Sequence, residues 1–160
     1  MVCGFSTRDH GTRGSEFHPL TKGTAMATTA SQQGVTTGNA RIRELLLLNL
    51  FAVFSERDRE RRMEAIVANY TEDVVWSAAE GTTHGHEELN EGAQKLLEST
   101  PAFVFTAAGP VHALGDVGYL PFTYGVPEQP PASIGSDVAL VRDGRIARLY
   151  TLLNGFTDRQ

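Results

Sequence analysis

The sequence predicts an α+β domain with a mostly antiparallel sheet wrapped on helices. Two observations carry this: helical patterns gather in the first hundred residues, and everything after them reads as short strands divided by turn residues. With 160 residues, 41% hydrophobic and 21% charged, the chain suits one globular domain. The run from Ala40 to Ser55 is helix-permissive and apolar on nearly all sides through Leu45, Leu46, Leu47, Leu48, Leu50, Phe51, Val53 and Phe54. Such a helix is buried, or covers a core and a partner at once. After the charged stretch Glu56 to Arg62, Met63, Ile66, Val67 and Tyr70 recur at helical spacing, so a second amphipathic helix is expected with the charges as its solvated first turns. Val74, Val75 and Trp76 form a short strand. Gly81 and Gly85 separate it from a third helix bearing Leu89, Ala93, Leu96 and Leu97, which ends at Thr100-Pro101. Strands are then expected at Ala102 to Ala107, Val111 to Leu114, Val117 to Tyr124, Ser133 to Arg142 and Arg145 to Leu153, the last two joined at Asp143-Gly144.

Composition changes near Asn39. Residues 1–38 hold 6 Gly, 8 Thr and 3 Ser with no buried face in either period, and are expected to be a disordered tail ahead of a domain at residues 39–157. No apolar core of a secretory signal follows the start, and Met26 is as good an initiator as Met1. The formal charge of −5 leaves no cationic surface for a phosphate backbone or an anionic membrane, so neither nucleic acid nor membrane is an expected partner. The longest apolar run, Leu45 to Phe54, is far short of the ~20 residues that cross a bilayer. Cys3 is the only cysteine, which excludes an intrachain disulfide and suits the cytoplasm.

One charge stands inside a strand. Alternation along Ile134 to Val141 puts Gly135, Asp137, Ala139 and Val141 on one face, among small or apolar neighbours. A two-residue turn at Asp143-Gly144 would set Asp137 opposite Tyr150, with Arg148 in reach to neutralise it. A three-residue turn would set it opposite Leu149, with Thr151 and Ala147 nearby, where an apolar wall raises its pKa toward the range useful for proton transfer. Structural and catalytic roles both stand at this point.

Three motifs, Tyr70-Thr71-Glu72-Asp73-Val74-Val75-Trp76, Gly85-His86-Glu87-Glu88-Leu89 and Gly135-Ser136-Asp137-Val138-Ala139 followed by Arg142-Asp143-Gly144-Arg145-Ile146, occur in this order. Over residues 40–156 the chain resembles SnoaL-like proteins of the nuclear transport factor 2 and ketosteroid isomerase superfamily. The resemblance implies a cone-shaped curved sheet closing over three helices around an apolar pocket, and commonly a homodimer. It also implies a small-molecule enzyme, of isomerase, cyclase, dehydratase or epoxide-opening type, that works without cofactor on a hydrophobic substrate. Asp137 matches the family's strand aspartate that acts as acid or oxyanion donor, which favours the three-residue turn. The isomerase base position falls near Ala78, and alanine moves no proton, so a full ketosteroid isomerase mechanism is not implied. A non-catalytic ligand-binding or dimerisation module is the alternative, since fold alone does not name a reaction.

Tyr124 is a candidate donor to a ligand carbonyl, or a buried phenol satisfying the protein itself. His84, at a helix entrance, either orients a substrate oxygen or faces water. Trp76, Leu120, Phe122, Ala139, Leu149 and Thr151 are expected to line the substrate pocket. Glu80 reads as an exposed loop residue. His84, His86 and Glu91 have the order of a metal motif, but Glu91 sits in a helical pattern, and no metal is expected.

Overall fold

The computed structural model describes residues 27–154. The expectation of disorder for residues 1–26 and the domain end at residue 157 lie outside the described residues. Helix α1 spans Ala27–Leu48, so it begins inside the stretch expected to be a tail. Once a helix is nucleated each added residue gains one hydrogen bond, and Ala27, Ala30, Gln32 and Gln33 are good helix formers that offset the Thr and Gly around them. The helix then widens into a π-turn, Asn49–Val53, closed by the Phe54 N–H donating to the Asn49 carbonyl at 3.0 Å. Ile42, Leu45, Leu46, Leu50 and Val53 are buried, whereas Leu47 and Phe51 are 41% and 49% exposed. The helix is therefore apolar beyond the face that the core covers.

Helix α2 spans Arg59–Asn69 and is capped by Asp58, whose Oδ1 accepts from the Glu60 and Arg61 N–H groups at 3.1 and 2.9 Å. Two expectations are corrected here. Val67 is exposed, and Tyr70 opens the first strand instead of continuing the helix, because its extended backbone turns the ring into the core. The charged stretch is not all solvated: Arg62 is fully buried. Its guanidinium donates to Asn90 Oδ1 and to the Glu56 carbonyl, both at 2.6 Å, and to Gln94 Oε1. Arg57 donates to the Leu97, Thr100 and Phe103 carbonyls and so caps the end of the next helix. The two arginines fasten the α2 segment to that helix.

Strands β1 (Tyr70–Ala78) and β2 (Gly81–His84) form a hairpin; β2 falls where the sequence shows only a glycine break. Helix α3 (Gly85–Ser99) lies against β1. Gly92 makes the approach possible, since a Cβ there would stand 2.7 Å from the Trp76 ring. Then come β3 (Val104–Ala107), β4 (His112–Leu114), β5 (Val117–Gly125), β6 (Ser133–Arg142) and β7 (Arg145–Leu153). The sheet order is β2-β1-β7-β6-β5-β3, with β4 also on β5, and every pair is antiparallel except β1 with β7. The expected α+β class with a curved, mostly antiparallel sheet over three helices is what forms, and the sheet is unclosed. A sheet of this kind, buried on one face, needs helices only there.

The β6–β7 hairpin follows neither expected register. Asp143 and Gly144 make a two-residue turn with φ of 52° and 73°, both left-handed as a primed turn requires, and Arg142 pairs with Arg145. A bulge then slips the ladder between Val141 and Leu140, so that Leu140 meets Arg148 and Asp137 meets Thr151. The three-residue turn and the pairing of Asp137 with Leu149 are thereby corrected, as is the pairing with Tyr150. Arg148 is exposed beside Leu140, on the sheet face opposite Asp137.

Replacing Arg62 by methionine keeps volume but leaves three oxygens without donors. Urea unfolding is expected to show a loss of about 3 kcal/mol. An unchanged unfolding midpoint would show that the clamp between α2 and α3 is dispensable.

Candidate functional site

Four elements converge on one buried carboxyl. Asp137 is 3% exposed. Its Oδ2 accepts from Asn49 Nδ2 and its Oδ1 from the Thr151 hydroxyl, each at 2.7 Å. Both donors are placed by irregular backbone. The π-turn after α1 brings Asn49 inward, and π-bulges of this kind are frequent at functional sites; the β7 bulge brings Thr151 opposite. The chain of bonds continues on both sides. The Tyr70 hydroxyl donates to Asn49 Oδ1, and Trp76 Nε1 donates to Thr151 Oγ at 3.0 Å.

Burial pushes the Asp137 carboxyl up from 3.8 to about 6, with the Thr151 and Asn49 hydrogen bonds pulling the other way. Loss of water outweighs two good donors. Tyr70, fully enclosed and near the Asp137 charge, is pushed well above its ordinary value and is a hydroxyl donor only.

Beside this network lies a cavity of about 850 Å³. Trp76, Phe103, Phe105, Phe122 and Tyr124 give it aromatic walls, and Thr151 stands among them. Phe105 stacks on Tyr124 with ring centres 4.0 Å apart and meets Phe122 edge-on at 5.3 Å. Helix α3 adds Glu88, Glu91, Lys95 and Leu96, with Glu91 bonded to Lys95 at 2.8 Å and its pKa held down by that contact, and β2 adds Thr82 and Thr83.

The residues singled out from sequence separate into three groups. Trp76, Phe122, Tyr124 and Thr151 line the cavity. Leu120, Ala139 and Leu149, expected on its wall, are instead sealed in the core with Ile42, Leu45 and Leu46, because α1 covers that part of the sheet. Asp137 stands behind Thr151 and is not on the wall itself. His84 is exposed at the start of α3, where its N–H donates to Glu88, and is not on the wall either. Tyr124 bonds the Thr100 hydroxyl, so its phenol is satisfied within the protein. Glu80 is exposed, yet it and Ala78 belong to the lining. Among the described residues, no three His, Cys, Asp or Glu side chains cluster to hold a metal ion. Sequence reasoning missed Asn49 and Tyr70. The one signal for Asn49 was a single amide breaking an otherwise apolar run.

Comparison with known proteins agrees with this architecture. Residues 47–149 match the family model of the SnoaL-like domain. A crystal structure of a candidate isomerase of the SnoaL-like family from Agrobacterium tumefaciens is 20% identical, with a TM-score of 0.65 over 74% of this chain and 99% of that one. A candidate SnoaL-like polyketide cyclase from a Jannaschia species is 11% identical, with a TM-score of 0.60 over 88% of this chain and 92% of that one. A de novo designed protein with a curved β-sheet, 14% identical, reaches 0.55 over 72% and 87%. At these identities the likeness is one of fold. No curated protein matches the sequence, and no helix among the described residues is long and apolar enough to cross a membrane.

The raised carboxyl has a signed consequence for stability. Because its folded pKa of about 6 exceeds the unfolded 3.8, Asp137 favours the fold fully below pH 3.8, and that contribution is lost as pH rises through 6. Two units correspond to roughly 3 kcal/mol. Asp137→Asn is therefore expected to be less stable than the parent near pH 4 relative to near pH 8, by that order, in urea unfolding at the two pH values. Parallel curves for the two proteins would mean that the carboxyl titrates normally.

Proposed function

This chain belongs to the SnoaL-like family, and on that premise we propose that it is a small-molecule enzyme that needs no cofactor and performs acid–base chemistry on a hydrophobic substrate held in the aromatic cavity. The observation that carries the reading is a buried carboxyl, pushed up to about 6 by loss of water, joined to the cavity wall by a single hydroxyl. In the base direction, a substrate proton passes to Thr151 Oγ as the Thr151 hydroxyl proton passes to Asp137 Oδ1. The substrate is left deprotonated, Asp137 is protonated and Thr151 is unchanged. The reverse sequence delivers a proton. Dry aromatic walls strengthen the field of the carboxylate on a developing charge. With Ala78 at the wall, the isomerase base position carries no proton acceptor, and isomerisation, cyclisation, dehydration or epoxide opening would use Asp137 as proton carrier. Tyr124 and Trp76 shape the substrate's seat, and His84 takes no part.

A specific observation also favours the non-catalytic alternative: both Asp137 oxygens already hold donors, and the carboxyl does not touch the cavity. In that reading the same hollow stores an apolar molecule. The compartment that suits either reading is the cytoplasm, supported by the single Cys3.

Trp76 is the only tryptophan and lies on the wall, so its fluorescence reports occupancy. A panel of polycyclic ketones, lactones and terpene epoxides is expected to yield ligands, and at least one to be turned over. Asp137→Asn is expected to lower kcat by at least about a hundredfold while keeping binding. Retained turnover in that variant would remove Asp137 from the chemistry, and saturable binding without turnover in the parent would establish the storage reading.

A homodimer is part of the same proposal. The sheet face opposite Asp137 carries Val117, Tyr119, Ile134 and Leu152 exposed, with Val138, Leu140 and Tyr150 half-buried between them, and soluble monomers seldom leave so much apolar surface uncovered. Sedimentation is expected to give twice the chain mass, and Tyr119→Glu with Leu152→Glu to give a monomer. A parent that sediments as a monomer at high concentration would refute the dimer.

A further inference from the structure

The hydrogens on the inner wall of the cavity are all committed. Trp76 Nε1–H donates to Thr151, and the Thr151 hydroxyl donates to Asp137. The Thr100 hydroxyl donates to the Leu96 carbonyl at 2.7 Å, which makes Tyr124 the donor in the bond between the two hydroxyls. Ser99 also donates to Leu96, at 2.8 Å. What remains is lone pairs. A hydroxyl oxygen accepts twice, and Trp76 takes only one of the two places on Thr151. Uncommitted donors lie elsewhere in the lining. Ser133 is four residues along β6 from Asp137, about 13 Å. Lys95 is paired to Glu91 on α3, and Thr83 Oγ is enclosed, with no surface to offer a ligand.

We propose that Thr151 makes the inner wall an acceptor surface, so that the cavity prefers a hydroxyl, enol or N–H group over a bare carbonyl at the buried end of the molecule it takes. The proposal rests on the reading of the cavity as a small-molecule site and names the chemical class that site selects. A carbonyl oxygen pushed against Thr151 loses its water and meets only lone pairs, whereas a hydroxyl replaces its water bond with one to Oγ. The substrate proton in contact with Thr151 is then the one the Asp137 relay removes.

The polarity of the wall depends on the charge of Asp137. Once the carboxyl is protonated, it becomes the donor to Thr151, and the hydroxyl hydrogen of Thr151 is released toward the cavity. The groups packed against Asp137 are Asn49 from the π-turn, Tyr70 and Trp76 from β1, Leu120 from β5 and Thr151 from β7, none of them charged between pH 5 and 8. The other charged groups in the cavity lining are Glu80, Glu88, Glu91 and Lys95, and the bond to Lys95 holds the Glu91 carboxyl below its ordinary value.

The probes are 2-adamantanol and 2-adamantanone, which share a skeleton and leave Trp76 fluorescence readable. At pH 8 the ratio of alcohol affinity to ketone affinity is expected to fall about tenfold in Thr151→Val. It is expected to hold in Thr151→Ser, and to fall by a similar factor in the parent protein at pH 5. The pH arm needs no variant, so a misfolded Thr151→Val leaves the test intact. Binding of both probes at a ratio that ignores pH and Thr151 would overturn the acceptor wall and leave the cavity reading standing. Failure of these probes and of the whole ketone, lactone and epoxide panel would remove the cavity reading and the proposal with it.

Discussion

The molecule is organised around the cost of holding a carboxylate out of water. Two donors, Asn49 and Thr151, reach Asp137, and among the described residues no cation does. A guanidinium partner would have fixed the charge permanently; two neutral donors leave it half compensated, and burial keeps the proton affinity high. Regular secondary structure supplies neither donor. An unbroken α-helix through Asn49 would turn that side chain away, and an unbroken β6–β7 ladder would set a different residue opposite Asp137. The π-turn and the bulge are the means by which the backbone answers that demand.

The aromatic cavity and the polar chain meet at a narrow join. Trp76 belongs to both: its ring packs edge-on to Phe54 at 4.9 Å and lies against Gly92 of α3, while its N–H anchors Thr151. A movement of α3 therefore reaches Thr151 through one rigid ring. Arg62 and Arg57 restrain that helix from behind and at its end, by hydrogen bonds to neutral oxygens. The cavity wall formed by α3 is thus braced on the side away from the cavity, which is how a rigid wall is built.

Similarity to a designed curved sheet as well as to natural SnoaL-like proteins separates scaffold from chemistry. The scaffold needs a bent sheet and helices on its concave side. What such a scaffold does depends on the side chains placed on that side, and in this chain Asp137, Asn49 and Thr151 stand there.

The sequence by itself determined the α+β class, the strand boundaries of β6 and β7, and Asp137 as the anomalous charge, because periodicity and a lone polar residue in an apolar strand are local facts. It also exposed Trp76, Phe122 and Thr151 as inward-facing. It did not separate cavity wall from filled core, since alternation tells which face a side chain takes and not what stands across from it; α1 fills the space in front of Leu120, Ala139 and Leu149 and leaves the space before Phe122 and Tyr124 open. Only the tertiary structure decided the partners of Asp137. Asn49 lies 88 residues away along the chain, and one bulged residue in β7 exchanges the facing side chain for Thr151, a shift that no pattern of residue types encodes because it arises from how the two strands pair.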